Sequence, residues 1–175
     1  MKRTVWWPAA LVTVVFGAAM VPALVTASSH GASVLSFEFA ATSQRAHSIV
    51  SGWGHAGRMA ARWQLVLDYG FIVGYATTLA VACSRRSKQL FARGSWPAAA
   101  VGTQLAWAAV LAGLADCVQN AALWLELDGR VVQPWPGVAF GCALVIAIAI
   151  VPACAFLAVT RKAASRLSRP AEAAA

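Results

Sequence analysis

The chain has 175 residues, of which 60% are hydrophobic and 11% are charged, whereas average soluble domains carry about 25% charged residues. Its net charge is +8, but the basic residues are divided among short segments between long apolar runs. This distribution weighs against a nucleic-acid-binding surface, which gathers its basic residues on one face. The composition instead predicts one membrane domain, with membrane lipid and no nucleic acid as its partner.

The first apolar run covers residues 5–27 and follows Lys2 and Arg3. Its end, Val-Thr-Ala, resembles a signal-peptide cleavage site, but the run is longer than the roughly 7–15 residues of a signal-peptide core. We therefore predict a first transmembrane helix. Pro8 suits its first turn, and Pro22 is expected to bend its outer end.

A polar connection, residues 28–62, separates the first two predicted spans, and its middle has a helical pattern. We predict one short amphipathic helix over 37–50, with Ser36 as its N-cap and Glu38 in its first turn. The glycine-rich stretch 52–57 is expected to end it. The helix either lies along the outer membrane interface or folds over the span ends as a lid. Its predicted apolar face consists of Phe39, Ala46, Ile49 and Val50.

Three further runs, 63–83, 96–125 and 137–160, are long enough to cross a bilayer, which takes about 20 apolar residues. Tryptophans near the span ends form an aromatic belt: Trp6, Trp7, Trp63, Trp96, Trp124 and Trp135. Ten of the 14 basic residues fall on one side: Lys2, Arg3, Arg85, Arg86, Lys88, Arg93, Arg161, Lys162, Arg166 and Arg169.

The positive-inside rule places that side, with both termini, the loop 84–95 and the basic tail 161–175, in the cytoplasm. The tail is expected to be frayed. The high alanine content suits a bacterial plasma membrane protein. The predicted fold class is therefore all-α: a four-helix transmembrane bundle with a short amphipathic interfacial helix on the outer side.

Two aspartates, Asp68 and Asp116, lie inside predicted spans, where a carboxylate costs several kcal/mol unless it is paired, hydrated or protonated. Helical spacing puts each on one face with other polar residues, and antiparallel packing of the second and third spans would join the two faces in the outer half of the membrane. The candidate ligand-binding residues are Glu38, Arg58, Arg62, Gln64, Asp68, Tyr75, Asp116, Gln119 and Asn120. Small residues nearby are expected to let the helices approach: Gly70, Gly74, Ala109, Ala112 and Gly113.

Three interpretations of these residues stay open. The first is a structural network in which Asp68 or Asp116 pairs with Arg58 or Arg62. The second is an outward-facing pocket for a lipid or small amphiphile. The pocket would belong to an accessory subunit of a membrane complex, to a homo-oligomer, or to an enzyme. Such an enzyme would use Asp68 and Asp116 as acid and base on a lipid or isoprenoid. The third is a proton- or ion-coupled transporter, which the lack of ionisable groups in the inner halves of the spans disfavours. We favour the pocket.

No cofactor or metal is predicted. His30, His47 and His55 lie on the outer side, but none belongs to a metal-binding helix motif. The four cysteines form no C-x-x-C pair and suit small packing residues. Cys117 and Cys142 are predicted at similar depths near the outer face, so a disulfide between them stays open.

Three stretches carry a family resemblance: SFEFAAT at 36–42, LDYGFIVGY at 67–75 and LADCVQNA at 114–121. Together they resemble an uncharacterised group of bacterial four-helix integral membrane proteins, over roughly residues 36–124. The resemblance implies a fold but no activity. Members of that group often have an acidic residue where this chain has Gln119, so the resemblance implies a pocket of different charge here.

Overall fold

The computed structural model describes residues 6–29 and 31–172, without the side chains of Trp6, Ser29 and 162–172. These residues are mostly helical and contain no strand. The helices are α1 (Trp6–Ser29), α2 (Val34–Glu38), α3 (Ser43–Gly52), α4 (Gly54–Ala92), α5 (Trp96–Leu127) and α6 (Trp135–Glu172). Lys2, Arg3 and His30 lie outside the described residues.

Four of the described helices, α1, α4, α5 and α6, are long and apolar enough to cross a membrane, as the sequence predicted. Helix α4 packs against α1 on one side and α5 on the other, and α6 packs mainly against α5. Large apolar side chains on each helix point away from these contacts: Val14, Val73, Trp107 and Ile148 are each at least 65% exposed. Such an outward apolar surface is what helices in lipid require.

Glycines bring these helices into close contact. A Cβ atom on Gly74 would lie 2.7 Å from the backbone nitrogen of Thr13 in α1, and one on Gly113 would lie 2.9 Å from the Cβ of Ala76 in α4. A Cβ on Gly70 would meet the ring of Phe16. The predicted role of small residues is confirmed at these positions, although Gly70 and Gly74 face α1 and not α5.

Replacing Gly74 by alanine is expected to lower the free energy of unfolding by about 1–3 kcal/mol, because the backbone of α1 must move to admit the methyl group. Unfolding in mixed micelles, followed by circular dichroism, measures the change. Gly141→Ala in α6 is the matched control, since nothing lies within 4 Å of its added Cβ. Equal stabilities of the two variants would contradict the tight α1–α4 contact.

Helix α4 is longer at both ends than predicted. At its start, only Trp53 separates it from α3, and its first residue, Gly54, takes the left-handed backbone conformation, with φ of +57°. At its end, the predicted loop 84–95 is helical to Ala92, because the hydroxyl of Ser87 donates to the Ala99 carbonyl at 2.6 Å and so ties this segment to α5. Likewise, the backbone of the predicted frayed tail continues α6 to Glu172.

The predicted single helix over 37–50 is two helices. The hydroxyl oxygen of Ser33 accepts from the backbone N–H of Ser36 at 3.1 Å and caps α2, and that of Thr42 accepts from the N–H of Arg45 at 3.3 Å and caps α3. The predicted N-cap at Ser36 was therefore wrong. Glu38 ends α2, and is not in the first turn of a helix.

We call residues 34–53 the cap, because they pack over one end of the four long helices. The cap shares a buried cluster with Ala27 of α1, Leu65 of α4, Leu123 of α5 and Ala139 of α6. At its centre Trp53 is 1% exposed, and its ring meets that of Phe37 edge-on with centroids 5.1 Å apart. Of the predicted apolar face, three residues are buried, Ala46, Ile49 and Val50, whereas Phe39 lies outside α3 and is 36% exposed.

Candidate functional site

The polar faces of α4 and α5 meet through two hydrogen bonds. Asn120 Nδ2 donates to Asp68 Oδ2 at 2.7 Å, and Tyr75 Oη donates to Asp116 Oδ2 at 2.8 Å. Tyr75, the later of the two α4 residues, pairs with Asp116, the earlier of the two α5 residues, as antiparallel helices require. Each aspartate is thus held by its own neutral donor on the other helix, and in the described residues the two carboxyl groups are not hydrogen-bonded to each other.

A third carboxyl group reaches these two from the cap. Burial raises the pKa of Glu38 to about 7, and the negative charges of Asp68 and Asp116 add to the increase. Glu38 therefore lies within the electrostatic reach of both aspartates. We call Glu38, Asp68 and Asp116, which belong to α2, α4 and α5, the carboxylate cluster.

Two glutamines lie one helical turn from the aspartates. Gln64 is four residues before Asp68, and Gln119 is three residues after Asp116, so each shares a face with its aspartate. Both side chains are 4% exposed, and the amide oxygen of each is buried without a hydrogen-bond partner. Of the predicted residues, the structure thus gathers Glu38, Gln64, Asp68, Tyr75, Asp116, Gln119 and Asn120.

The pairing of Arg58 or Arg62 with an aspartate of the cluster, which belonged to the first of the three interpretations, is not found among the described residues. Arg62 pairs with Asp128 at 2.7 Å and donates to the Leu127 carbonyl at 3.3 Å, and within the described residues this is the ion pair present. Arg62 is six residues before Asp68, about 240° around α4, so its side chain leaves on another face. Arg58 is half-buried and outside any such ion pair, and Arg45, His47 and His55 are exposed.

Glu126 is a buried acidic residue that sequence reasoning did not select. It is 1% exposed, and both of its carboxyl oxygens lack a hydrogen-bond partner. It follows Gln119 by seven residues, which puts both on one face of α5. That spacing is the sequence signal that would have found it.

A groove of about 400 Å³ begins beside the Tyr75–Asp116 pair and runs between α1, α4 and α6. Its wall is largely apolar, and the rings of Phe71 and Tyr75 pack together within it at 5.4 Å. It is lined by Ala10, Thr13, Val14, Phe71, Tyr75, Thr78, Leu79, Ile150 and Cys154. A second groove of about 430 Å³, between α4 and α5, is lined by Val73, Val110, Leu114, Cys117 and their neighbours.

The described residues form neither a metal-binding cluster nor a disulfide. Among residues 6–29 and 31–172, no three His, Cys, Asp or Glu side chains lie close enough together to hold a metal ion. All four cysteines are free, so Cys117 and Cys142 do not form the disulfide that the sequence left open.

The three stretches that carry the family resemblance meet at this site. Segment 36–42 supplies Glu38, 67–75 supplies Asp68 and Tyr75, and 114–121 supplies Asp116 and Asn120. Their chemistry is that of a half-buried, acceptor-rich site beside an apolar groove. Comparison of the chain with protein-family models, with curated proteins and with solved structures finds no match.

Proposed function

We propose that this protein is a bacterial plasma membrane protein whose polar site binds a lipid or small amphiphile. In this proposal the four long helices form a transmembrane bundle with both termini in the cytoplasm and the cap on the outer side. The excess of basic residues at the opposite end from the cap supports that orientation. The protein acts alone, as a homo-oligomer, or as an accessory subunit of a larger membrane complex.

Tyr75 is the observation that carries the proposal. Its ring lines the apolar groove between α1, α4 and α6, and its hydroxyl donates to Asp116 at 2.8 Å. One side chain therefore joins the apolar groove to the carboxylate cluster. An amphiphile has the same two parts, so its head group would meet Asp116 while its alkyl chain lies along Phe71 and Val14.

The position of the cap supports entry of the amphiphile into the groove from the membrane. Phe37 and Trp53 are buried over the ends of the long helices, and Glu38 of the same segment lies within the electrostatic reach of the aspartates. The route from the aqueous side is thus covered by packed apolar residues, whereas the groove lies at the surface that faces lipid. Ligand sites of this kind combine an apolar wall with a few convergent polar groups.

Binding of two radiolabelled amphiphiles, dodecanol and dodecylammonium, to the protein in phosphatidylcholine nanodiscs tests the proposal. Empty nanodiscs measure simple partition into lipid. We expect saturable, stoichiometric binding of at least one of the two probes. Uptake that never saturates, or that equals uptake by empty nanodiscs, would contradict a binding site.

A pair of valines identifies which groove holds the chain. Val14 lines the groove beside Tyr75 and is 67% exposed, and Val73 lines the second groove and is 65% exposed. Val14→Trp is expected to weaken binding at least about tenfold by filling the groove, while Val73→Trp leaves the affinity unchanged. The same loss in both variants, or in Val73→Trp alone, would refute the assignment to this groove.

A further inference from the structure

The carboxylate cluster has no positively charged partner within the described residues. The ion pair found there joins Arg62 to Asp128, which leaves Glu38, Asp68 and Asp116 with neutral contacts. Asp68 and Asp116 each accept a hydrogen bond from a neutral donor. Gathering three carboxyl groups in a half-buried place is costly unless a cation or protons offset the charge.

Buried acceptors beside the cluster point to a missing donor. The amide oxygens of Gln64 and Gln119 are unpartnered, although both side chains are 96% removed from solvent. Each oxygen belongs to a residue one turn from an aspartate, on the face that forms the site. Because an unpartnered buried acceptor is costly, these oxygens favour a ligand that brings several N–H groups.

The spacing of the acidic groups indicates the size of that ligand. Glu38 is near enough to both aspartates to respond to their charges. Yet no three acidic, histidine or cysteine side chains in the described part of the chain converge closely enough for a metal ion. A primary ammonium fits better, since its three N–H donors need only the two aspartates and one amide oxygen, and not a third ionisable ligand.

We propose that the head group selected by this site is a primary ammonium group, whose three N–H donors meet Asp68, Asp116 and the amide oxygen of one of the two glutamines, Gln64 or Gln119. The inference rests on the proposed amphiphile function and specifies its ligand as a cationic amphiphile. The oxygens of the site take the place of the water that hydrates the ammonium in solution. The apolar groove beside Tyr75 holds the attached alkyl chain. Charge-assisted hydrogen bonds of this kind are the strong ones.

The test compares three probes on wild-type protein in phosphatidylcholine nanodiscs: dodecylammonium, dodecanol and butylammonium. After subtraction of partition into empty nanodiscs, we expect dodecylammonium to bind at least about tenfold more tightly than either of the others. Equal affinity for dodecanol would overturn the ammonium site but leave the amphiphile function standing. Butylammonium binding as tightly as dodecylammonium would keep a cation site and overturn the amphiphile function. Failure of all three to bind would overturn both.

Charge-neutralising variants then locate the selectivity. Asp68→Asn and Asp116→Asn are each expected to reduce the preference for dodecylammonium over dodecanol to less than about threefold, because the amide removes the negative charge that favours the cation. Asp128→Asn, which removes a carboxylate paired with Arg62 outside the cluster, is the control and should keep the full preference. A preference that survives both cluster variants would overturn the assignment. The wild-type comparison decides the matter even if a variant misfolds.

Discussion

Replacing Trp53 by alanine is expected to detach the cap and lower the free energy of unfolding by about 3–5 kcal/mol. The side chain is 1% exposed, packs edge-on against Phe37, and donates from Nε1 to the Ala32 carbonyl at 2.6 Å. The mutation leaves a large cavity and a carbonyl without its donor. Hydrogen exchange of amides 34–53 should rise strongly, and unfolding in mixed micelles gives the free energy.

Two further tryptophan variants separate cavity from surface effects. Trp63→Ala removes the same side chain from the outside of α4, where it is 61% exposed, and should change stability by less than about 1 kcal/mol. Trp53→Phe keeps an aromatic ring but removes the N–H donor, and should cost an intermediate amount, about 1–3 kcal/mol. If exchange over 34–53 were the same in Trp53→Ala and Trp63→Ala, the cap would not depend on this residue.

The long helices and the meeting of the polar faces of α4 and α5 were predictable from sequence. A run of about 20 apolar residues has few alternatives to a membrane helix, because the pattern is local and long. The Asp68 and Asp116 faces followed from spacing of three, four and seven residues, which needs only helical geometry and antiparallel neighbours. The pairs Asp68–Asn120 and Tyr75–Asp116 fit that expectation.

The cap was harder to predict, because two equivalent local signals compete there. Ser33 and Ser36 are both good N-caps, and the structure uses Ser33 because Val34 and Phe37 then point into the core together. Trp53 looked like part of a helix break. Nothing local indicates that its ring is the largest fully buried side chain in the described chain.

The ion-pair partner of Arg62 and the groove beside Tyr75 both depend on how the helices are placed and rotated relative to one another. Arg62 finds Asp128 beyond the end of α5, a contact between residues 66 positions apart that no spacing rule indicates. The groove beside Tyr75 is formed by three helices at once, so it depends on how α1 and α6 turn about their axes. Helical periodicity assigns faces within one helix but not the relative rotation of three.

The cap should also hold less firmly as the pH rises from about 5 to 8, because of Glu38. In an open cap this carboxyl meets water and has its ordinary pKa of 4.5, whereas in the closed cap its pKa is about 7, through burial first and the charges of Asp68 and Asp116 second. The closed state therefore binds more protons over this range, so its stability is full below pH 4.5 and falls as the pH rises through 7. The total loss is on the order of 3 kcal/mol.

Hydrogen exchange of amides 34–53 at several pH values measures this dependence, after correction for the intrinsic effect of pH on exchange. Glu38→Gln mimics the protonated carboxyl group, so we expect its cap to stay at the low-pH protection of the wild type throughout. Asp128→Asn should keep the wild-type profile, since that carboxylate is 45% exposed and pairs with Arg62. A wild-type profile in Glu38→Gln would contradict the assignment of the pH dependence to Glu38. Loss of the pH dependence in Glu38→Gln alone would mean that Glu38 loses its proton when the cap opens. Deprotonation of Glu38 and access to the aspartates would then be coupled.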